Sequence, residues 1–226
     1  MAKVNIVGVI VPNDEKEVYE WFGIETTTPK EVNYAIEKAA GQPLDVYINS
    51  GGGSVFAGSE MYTALQEYAG GVNVKIVGRA GSAATLPAMA GKSEISPTAM
   101  MMVHRASASA EGNYHAMEKS SEMLQAADTA IANAYVKKSG MSMEDAIAMM
   151  DRETWMTAQQ AVEHGLVDKI MFTEADQISA SEGGMLPKAV VEKIKNIIHA
   201  KSDLKGEEKN RARAEIDLLD LRRITR

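Results

Sequence analysis

The sequence contains no cysteine among its 226 residues. Disulfide bonds, thiol catalysis and a metal cluster held by cysteine are therefore excluded. No apolar run approaches the roughly 20 residues that a membrane span needs. No signal peptide precedes the first strand pattern, which begins at Val4. We therefore expect a cytoplasmic protein without membrane association.

An excess of positive charge is also missing, since 24 Lys and Arg stand against 31 Asp and Glu, a net charge of −7. This balance argues against nonspecific nucleic-acid binding. Residues 1–176 hold 13 basic and 23 acidic side chains, a net −10, whereas residues 177–226 hold 11 and 8, a net +3. We therefore divide the chain into an α/β domain, residues 1–176, and a linker with a charged helical C-terminal extension, residues 177–226.

Strand and helix patterns alternate along the first part of the chain, as in a layered α/β fold. The spacing of apolar residues predicts helices at residues 29–40, 55–68 and about 113–138, and a last strand at residues 169–172. The polar insertion at residues 15–28 is expected to form a hairpin.

The stretch GRAGSAATLPAMAG, residues 78–91, places Ser82 where a predicted strand gives way to a helix rich in small residues. Backbone N–H groups in the first turn of a helix lack intrahelical partners and lie at the positive end of the helix dipole. Such a position favours the oxyanion that forms when a serine attacks a carbonyl. Serine is also a common N-cap residue, so Ser82 needs partners to be a nucleophile candidate.

Candidate partners for Ser82 follow downstream. Residues 96–104 read as a turn and a buried strand that ends at His104, which can act there as a general base. The DRETWMT segment, residues 151–157, offers two acids beside an apolar strand-like pair, and an acid hydrogen-bonded to an imidazole fixes its tautomer. A lone histidine is more often structural, and acids before a helix are usually solvated or capping, so these alternatives stay open.

A glycine cluster, SGGGS at residues 50–54, lies between a predicted strand and a predicted helix. Three consecutive glycines free the backbone to aim N–H groups at an anion. The spacing is neither that of a Walker loop nor that of a GxGxxG motif, which disfavours a nucleotide site. With no metal-ligand constellation in the sequence either, we predict neither a cofactor nor a metal.

Four motifs resemble, in their order and approximate spacing, the proteolytic subunit of the Clp protease family: INSGGGSVFAG at 48–58, GRAGSA at 78–83, MVH at 102–104 and AQQAVEHGLVD at 158–168. The resemblance covers about residues 4–172. It implies an α/β ClpP/crotonase-like fold of stacked, repeated β-β-α units with a protruding handle helix.

The resemblance also implies a serine endopeptidase site with nucleophile Ser82, base His104, acid Glu153 and oxyanion-hole N–H groups of Gly53 and Ala83. The usual acid of the family is aspartate, whereas this chain has the longer glutamate at position 153. Asp151 is therefore the reserve candidate for the acid.

The partners implied by the resemblance are protein or peptide substrates and further copies of the chain in a hexameric, heptameric or stacked double ring. In the family, the long helix meshes with a second ring, and a strand before it pairs with extended substrate. Longer members build axial loops that face an unfoldase ATPase, for which the strand at Val4 leaves no room. An AAA+ unfoldase is thus an open alternative, and the short start resembles phage and prophage head-maturation proteases.

Two other functional classes stay open on sequence alone. A crotonase-type acyl-CoA enzyme shares the fold and uses a backbone oxyanion hole for thioester enolates, and a noncatalytic assembly protein could retain only the fold. Among proteases, a Ser-Lys dyad of Ser82 and Lys92 is a further alternative.

Overall fold

The computed structural model describes residues 2–173, which are built around an eight-stranded sheet. The strands are β1 Ala2–Ile10, β2 Thr26–Thr27, β3 Leu44–Gly53, β4 Val72–Gly81, β5 Lys92–Ile95, β6 Met100–Val103, β7 Thr154–Thr157 and β8 Lys169–Ile170. The helices are α1 Lys16–Trp21, α2 Pro29–Ala39, α3 Val55–Glu67, α4 Thr85–Ala88, α5 Tyr114–Ser139, α6 Met143–Asp151 and α7 Ala158–Glu163.

The main path of the sheet runs β2-β1-β3-β4-β5-β8, with every neighbouring pair parallel. Off this path, β6 pairs in parallel with the end of β4 and antiparallel with β7. Helices connect the successive parallel strands of the main path in most cases, which is the pattern of a βαβ architecture. The predicted α/β class and the helices after residues 28, 54 and 113 are confirmed.

The central strands are held in register by alternating apolar side chains. Ile48 of β3 and Ile76 of β4 pair directly and are fully buried, and each such side chain contributes about 1.5–3 kcal/mol of hydrophobic stabilisation. On the other face of the same two strands, Lys75 Nζ donates to Asp45 Oδ2 at 2.9 Å. A slip of one residue would exchange these two faces, so the pattern fixes the pairing of β3 with β4.

Helix α5 consists of two different halves. Its outer half, residues 114–127, has no buried residue, whereas its inner half, residues 128–139, buries Asp128, Ile131, Ala132, Ala134 and Tyr135. Asn113 caps the start by accepting from the Ala116 N–H at 3.1 Å, and Gly140 ends the helix in the left-handed region. The long helix is thus anchored to the core at one end only.

One expectation for the chain segments around this core is wrong. Residues 15–28 form α1 and the short β2, which is parallel to β1, in place of a hairpin. Lys16 favours the helix, because its Nζ lies 3.5 Å from Glu20 one turn later and 2.6 Å from Glu31 on α2.

The C-terminal extension, residues 177–226, lies outside the described residues, as do its expected linker and helices. Within residues 2–173, none of the helices is both long enough and apolar enough to cross a membrane.

Asp168 joins three parts of the domain. Its Oδ2 accepts hydrogen bonds from the Ser93 backbone N–H and from Lys138 Nζ, both at 2.7 Å, and Lys138 also donates to the Gly91 carbonyl at 2.9 Å. Partial burial opposes ionisation of the carboxyl, but the bonds from Lys138 and Ser93 outweigh it and hold the pKa of Asp168 below its ordinary value. The ionised form of Asp168 therefore stabilises the folded state.

We predict that Asp168→Asn lowers the free energy of unfolding at pH 7 by about 1 kcal/mol, since the carboxylate is half exposed and its charged bonds are partly screened. Because the folded-state pKa is depressed, the contribution is complete above the unfolded pKa of about 3.9 and is lost as the pH falls through the folded pKa. Urea unfolding should show the gap between wild type and variant closing below about pH 4. Asp14→Asn, at an exposed position, is the control, and a gap that stays constant to pH 3 would contradict the prediction.

Candidate active site

Ser82 and His104 meet at the carboxyl ends of two neighbouring parallel strands. Ser82 directly follows β4, His104 directly follows β6, and the two strands pair with Gly81 beside Met102. This register brings the side chains to one edge of the sheet, where His104 Nε2 lies 2.7 Å from Ser82 Oγ. With Nε2 as acceptor, a neutral imidazole can take the proton of the serine hydroxyl.

The backbone of Ser82 has the left-handed conformation, with φ of +52°. A residue with a Cβ adopts it at a cost on the order of 1–2 kcal/mol. β4 ends at Gly81, and a 3₁₀ turn, Ser82–Ala84, passes directly into α4. The hydroxyl therefore lies on a sharp strand-to-helix turn, and strained turns of this kind cluster at catalytic sites.

The glycine cluster packs against this turn. A Cβ on Gly52, where φ is +102°, would lie 2.6 Å from Ser82 Cβ and 2.9 Å from the Ala83 nitrogen. A Cβ on Gly53, where φ is +148°, would overlap the carbonyl oxygen of Ile10. Only glycine at these two positions lets β3 come this close to both the nucleophile candidate and β1.

Gly53 ends β3 beside the serine turn, and it lines the same cavity as Ser82 and His104. The next N–H along the chain, that of Ser54, donates to the Ile10 carbonyl on β1 at 2.8 Å. The Ala83 N–H lies in the first turn after the serine.

A small cavity of about 50 Å³ lies at the Ser82–His104 pair. Its lining residues are Gly53, Val55, Ser82, His104, Ala106, Ser107, Ile131 and Tyr135. The cavity therefore combines the nucleophile candidate, the base candidate and one oxyanion-hole candidate with an apolar wall from α5. In the same described part of the chain, no group of three or more His, Asp and Glu side chains is placed to hold a metal ion.

Glu153 directly precedes β7 and His104 directly follows its partner strand β6, but the two side chains are not hydrogen-bonded to each other. The antiparallel ladder ends with Val103 opposite Thr154, and Glu153 itself has the left-handed conformation, with φ of +47°. The Glu153 carboxylate instead lies 3.4 Å from Trp155 Nε1. Across residues 2–173, the hydrogen bond of the His104 ring is the one to Ser82.

Asp151, the reserve acid, has a different partner. Its Oδ1 accepts from Arg105 Nε at 2.7 Å, and this bond holds the pKa of Asp151 below its ordinary value. Arg105 Nη1 also donates to Asp128 Oδ2 at 3.0 Å. The structure thus brings Asp151 to the arginine after the base candidate and does not bring it to His104.

Most of the described part of the chain is similar to known proteins. A model of the Clp protease family matches residues 28–174. The chain belongs to this family. Among its curated relatives, a Bacteroides fragilis protein described as ATP-dependent Clp protease proteolytic subunit is 32% identical over 135 residues, which are 58% of this chain and 65% of the relative. A Dehalococcoides mccartyi protein of the same description is 34% identical over 131 residues, 57% of this chain and 66% of the relative.

The matched region spans slightly less than two thirds of the length of these Clp relatives. Membership of the Clp protease family confirms the resemblance carried by the four sequence motifs, and the mostly parallel α/β sheet agrees with the fold of that family. The comparisons do not favour a crotonase-type acyl-CoA enzyme or a noncatalytic assembly protein.

Lys92 is kept apart from Ser82, so the Ser-Lys alternative has no geometric support. Lys92 begins β5 and pairs with Asn73 near the start of β4, whereas Ser82 follows the end of β4. Nine residues of extended strand separate these two levels, roughly 30 Å at about 3.3 Å per residue.

Four polar residues beside the site were not predicted from the sequence. They are Thr85, Arg105, Asp128 and Tyr135, and their bonds reach the backbone or side chains next to Ser82 and His104. The sequence does indicate one of them: Asp128 interrupts the helical spacing of apolar residues between Leu124 and Ile131. A carboxylate on an otherwise apolar helix face is expected to have a specific partner when it is buried.

We predict that Gly52→Ala is more damaging than Gly71→Ala. Both glycines have positive φ, +102° and +84°, so both variants carry backbone strain. A Cβ at position 71 meets no atom within 4 Å, whereas one at position 52 overlaps Ser82 and Ala83. We expect Gly52→Ala to lose about 1–3 kcal/mol more free energy of unfolding than Gly71→Ala in urea denaturation. Equal losses would contradict the close packing of the glycine cluster on the serine turn.

Proposed function

We propose that this chain is a ClpP-like serine endopeptidase. The 2.7 Å contact between Ser82 Oγ and His104 Nε2, at the end of two paired strands, is the observation that carries the proposal. Membership of the Clp protease family supports it. The pair is the minimum needed for acyl transfer, a nucleophile with an adjacent general base.

In the proposed reaction, Ser82 Oγ attacks the carbonyl carbon of a peptide bond while His104 Nε2 takes the hydroxyl proton. The carbonyl π electrons move to the oxygen, and the Gly53 and Ala83 N–H groups donate to this oxyanion. His104 then gives its proton to the leaving amine, which leaves an acyl group on Ser82. Water releases the acyl group with His104 again as the base. One oxyanion-hole donor is typically worth about 10²–10³ in turnover.

We assign Glu153 as the acid that orients His104. The antiparallel register of β6 with β7 supports this assignment, because its last pair, Val103 with Thr154, directly adjoins His104 on one strand and Glu153 on the other. The Glu153 side chain is exposed, and its long hydrogen bond to Trp155 spans 3.4 Å. Rotation about its side-chain torsions can therefore turn the carboxylate to the imidazole. Asp151 would first have to leave Arg105.

We further propose that the protease works as a homo-oligomeric ring of six or seven subunits, single or stacked. The outer half of α5 supports this, since 14 residues without a buried member offer a surface for a neighbouring copy. Peptides and unfolded proteins are the proposed substrates, and the cytoplasm the proposed location. An AAA+ unfoldase partner and a prophage head-maturation role remain alternatives within this function.

Replacing the nucleophile gives the most direct test. We predict that Ser82→Ala and His104→Ala each reduce hydrolysis of a fluorogenic peptide at least about 10³-fold, while Ser59→Ala, at an exposed position of α3, retains the wild-type rate. A fluorophosphonate probe should label wild type and Ser59→Ala but not Ser82→Ala.

Native mass spectrometry of the same samples shows whether the variants assemble like the wild type and gives the subunit number. Peptide cleavage that survives Ser82→Ala would refute the assignment. A wild-type particle that neither cleaves peptides nor reacts with the probe would favour the acyl-CoA or noncatalytic alternative.

The identity of the acid can be tested separately. We predict that Glu153→Gln lowers kcat by about 10²–10⁴-fold, because an amide cannot stabilise the imidazolium as a carboxylate does. Asp151→Asn should lower kcat less than about fivefold, because its carboxylate forms an exposed pair with Arg105. Steady-state kinetics on the two variants identifies the acid. A larger loss of kcat in Asp151→Asn than in Glu153→Gln would assign the acid role to Asp151. If neither change matters, the site is a Ser-His dyad.

A further inference from the structure

A buried chain of two hydrogen bonds links α5 to the backbone of Ser82. The Tyr135 hydroxyl lies 2.6 Å from Thr85 Oγ1, and Thr85 Oγ1 lies 2.6 Å from the carbonyl oxygen of Ser82. Tyr135 is 2% exposed and Thr85 is fully buried. Both bonds are therefore shielded from competing water, which makes them stronger and makes their loss costly.

The direction of the two bonds follows from proton counting. The Ser82 carbonyl can only accept, so the Thr85 hydroxyl donates to it. The single Thr85 proton is then used, and Thr85 Oγ1 must accept from the Tyr135 hydroxyl. Burial raises the pKa of the Tyr135 phenol, so this group keeps the proton that the chain requires.

This chain acts on the strained residue of the site. Ser82 has φ of +52°, a conformation that a residue with a Cβ adopts only when its surroundings enforce it. The Ser82 carbonyl carbon is bonded to the Cα that also carries the hydroxymethyl group. A hydrogen bond that fixes this carbonyl therefore limits the backbone positions from which Oγ can reach His104.

The same helix face contacts the chain after His104. Asp128 Oδ1 accepts from the Ala106 backbone N–H at 2.7 Å, and Asp128 Oδ2 accepts from Arg105 Nη1 at 3.0 Å. Asp128 is only 5% exposed. Its carboxylate therefore fixes the two residues that directly follow the base candidate.

Asp128 and Tyr135 are seven residues apart, which is two helical turns and about 10.5 Å along one face of α5. Ile131, between them, lines the cavity at Ser82 and His104. One rigid element thus binds the backbone beside both reacting side chains, through Thr85 on one side and directly on the other.

We propose that the inner face of α5 positions the nucleophile and the base, with Tyr135 and Thr85 holding the left-handed backbone of Ser82 and Asp128 holding the segment after His104. These are positioning residues, because none of them touches the reacting atoms. The inference rests on the proposed peptidase function for its kinetic consequence but not for its structural one.

The test compares hydroxyl deletion with hydroxyl retention at two positions. Tyr135→Phe and Thr85→Val remove hydroxyl groups at nearly constant shape, while Thr85→Ser keeps one, and Tyr34→Phe on exposed Tyr34 of α2 is the matched control. We expect Tyr135→Phe and Thr85→Val to lower kcat about 10–100-fold with KM little changed, as a displaced nucleophile would. Thr85→Ser and Tyr34→Phe should remain within about twofold of wild type.

Thermal unfolding shows which variants fold. If Tyr135→Phe does not fold, Thr85→Val alone provides the test of hydroxyl deletion. If the wild type hydrolyses peptides, an unchanged kcat in the folded deletion variants overturns the inference. If the wild type does not hydrolyse peptides, the proposed function fails instead. Crystal structures of the deletion variants then test the inference independently of activity. Separation of Ser82 Oγ from His104 Nε2 beyond 3.5 Å then supports the inference, and an unchanged contact overturns it.

Discussion

The parallel pairing of Gly81 with Met102 is the constraint on which the site depends. Because β4 and β6 run in the same direction, the residues that follow them emerge at one edge of the sheet, and Ser82 meets His104 there. β4 is itself fixed by its buried alternation against β3, where Ile48 pairs with Ile76. Packing in the centre of the sheet therefore determines a distance at its rim, and the contact of Ser82 with His104 depends on hydrophobic register.

The fold and the proximity of Ser82 to His104 could be predicted from sequence because the patterns that indicate them lie in short segments of the chain. Alternating apolar residues indicated β3 and β4, and a serine between glycine and alanine indicated a strand-to-helix turn. The ordered motifs then related Ser82 to His104 across 22 residues. The hairpin predicted for residues 15–28 is wrong because the six-residue helix α1 is too short for a periodic pattern, and its ion pair from Lys16 to Glu31 depends on tertiary structure.

The polar surroundings of the pair could not be predicted in the same way. A hydrogen bond such as the one between Thr85 and Tyr135 joins residues 50 apart in the chain, and no spacing rule relates them. The proposed acid, Glu153, is a related case. The last pair of β6 with β7 adjoins both His104 and Glu153, but rotamers decide where the Glu153 carboxylate lies, and here it lies near Trp155. Sequence position constrains the backbone of a site more closely than the ends of its long side chains.

The two halves of α5 have a consequence for how this protein can change over generations. Substitutions in the outer half alter no buried contact, so drift and selection can reshape that surface at little cost to folding. The inner half is bound to the chain beside Ser82 and His104 and tolerates far less variation. A single uninterrupted helix thus lets new assemblies or new neighbours evolve at one end while the surroundings of Ser82 and His104 at the other end are inherited intact.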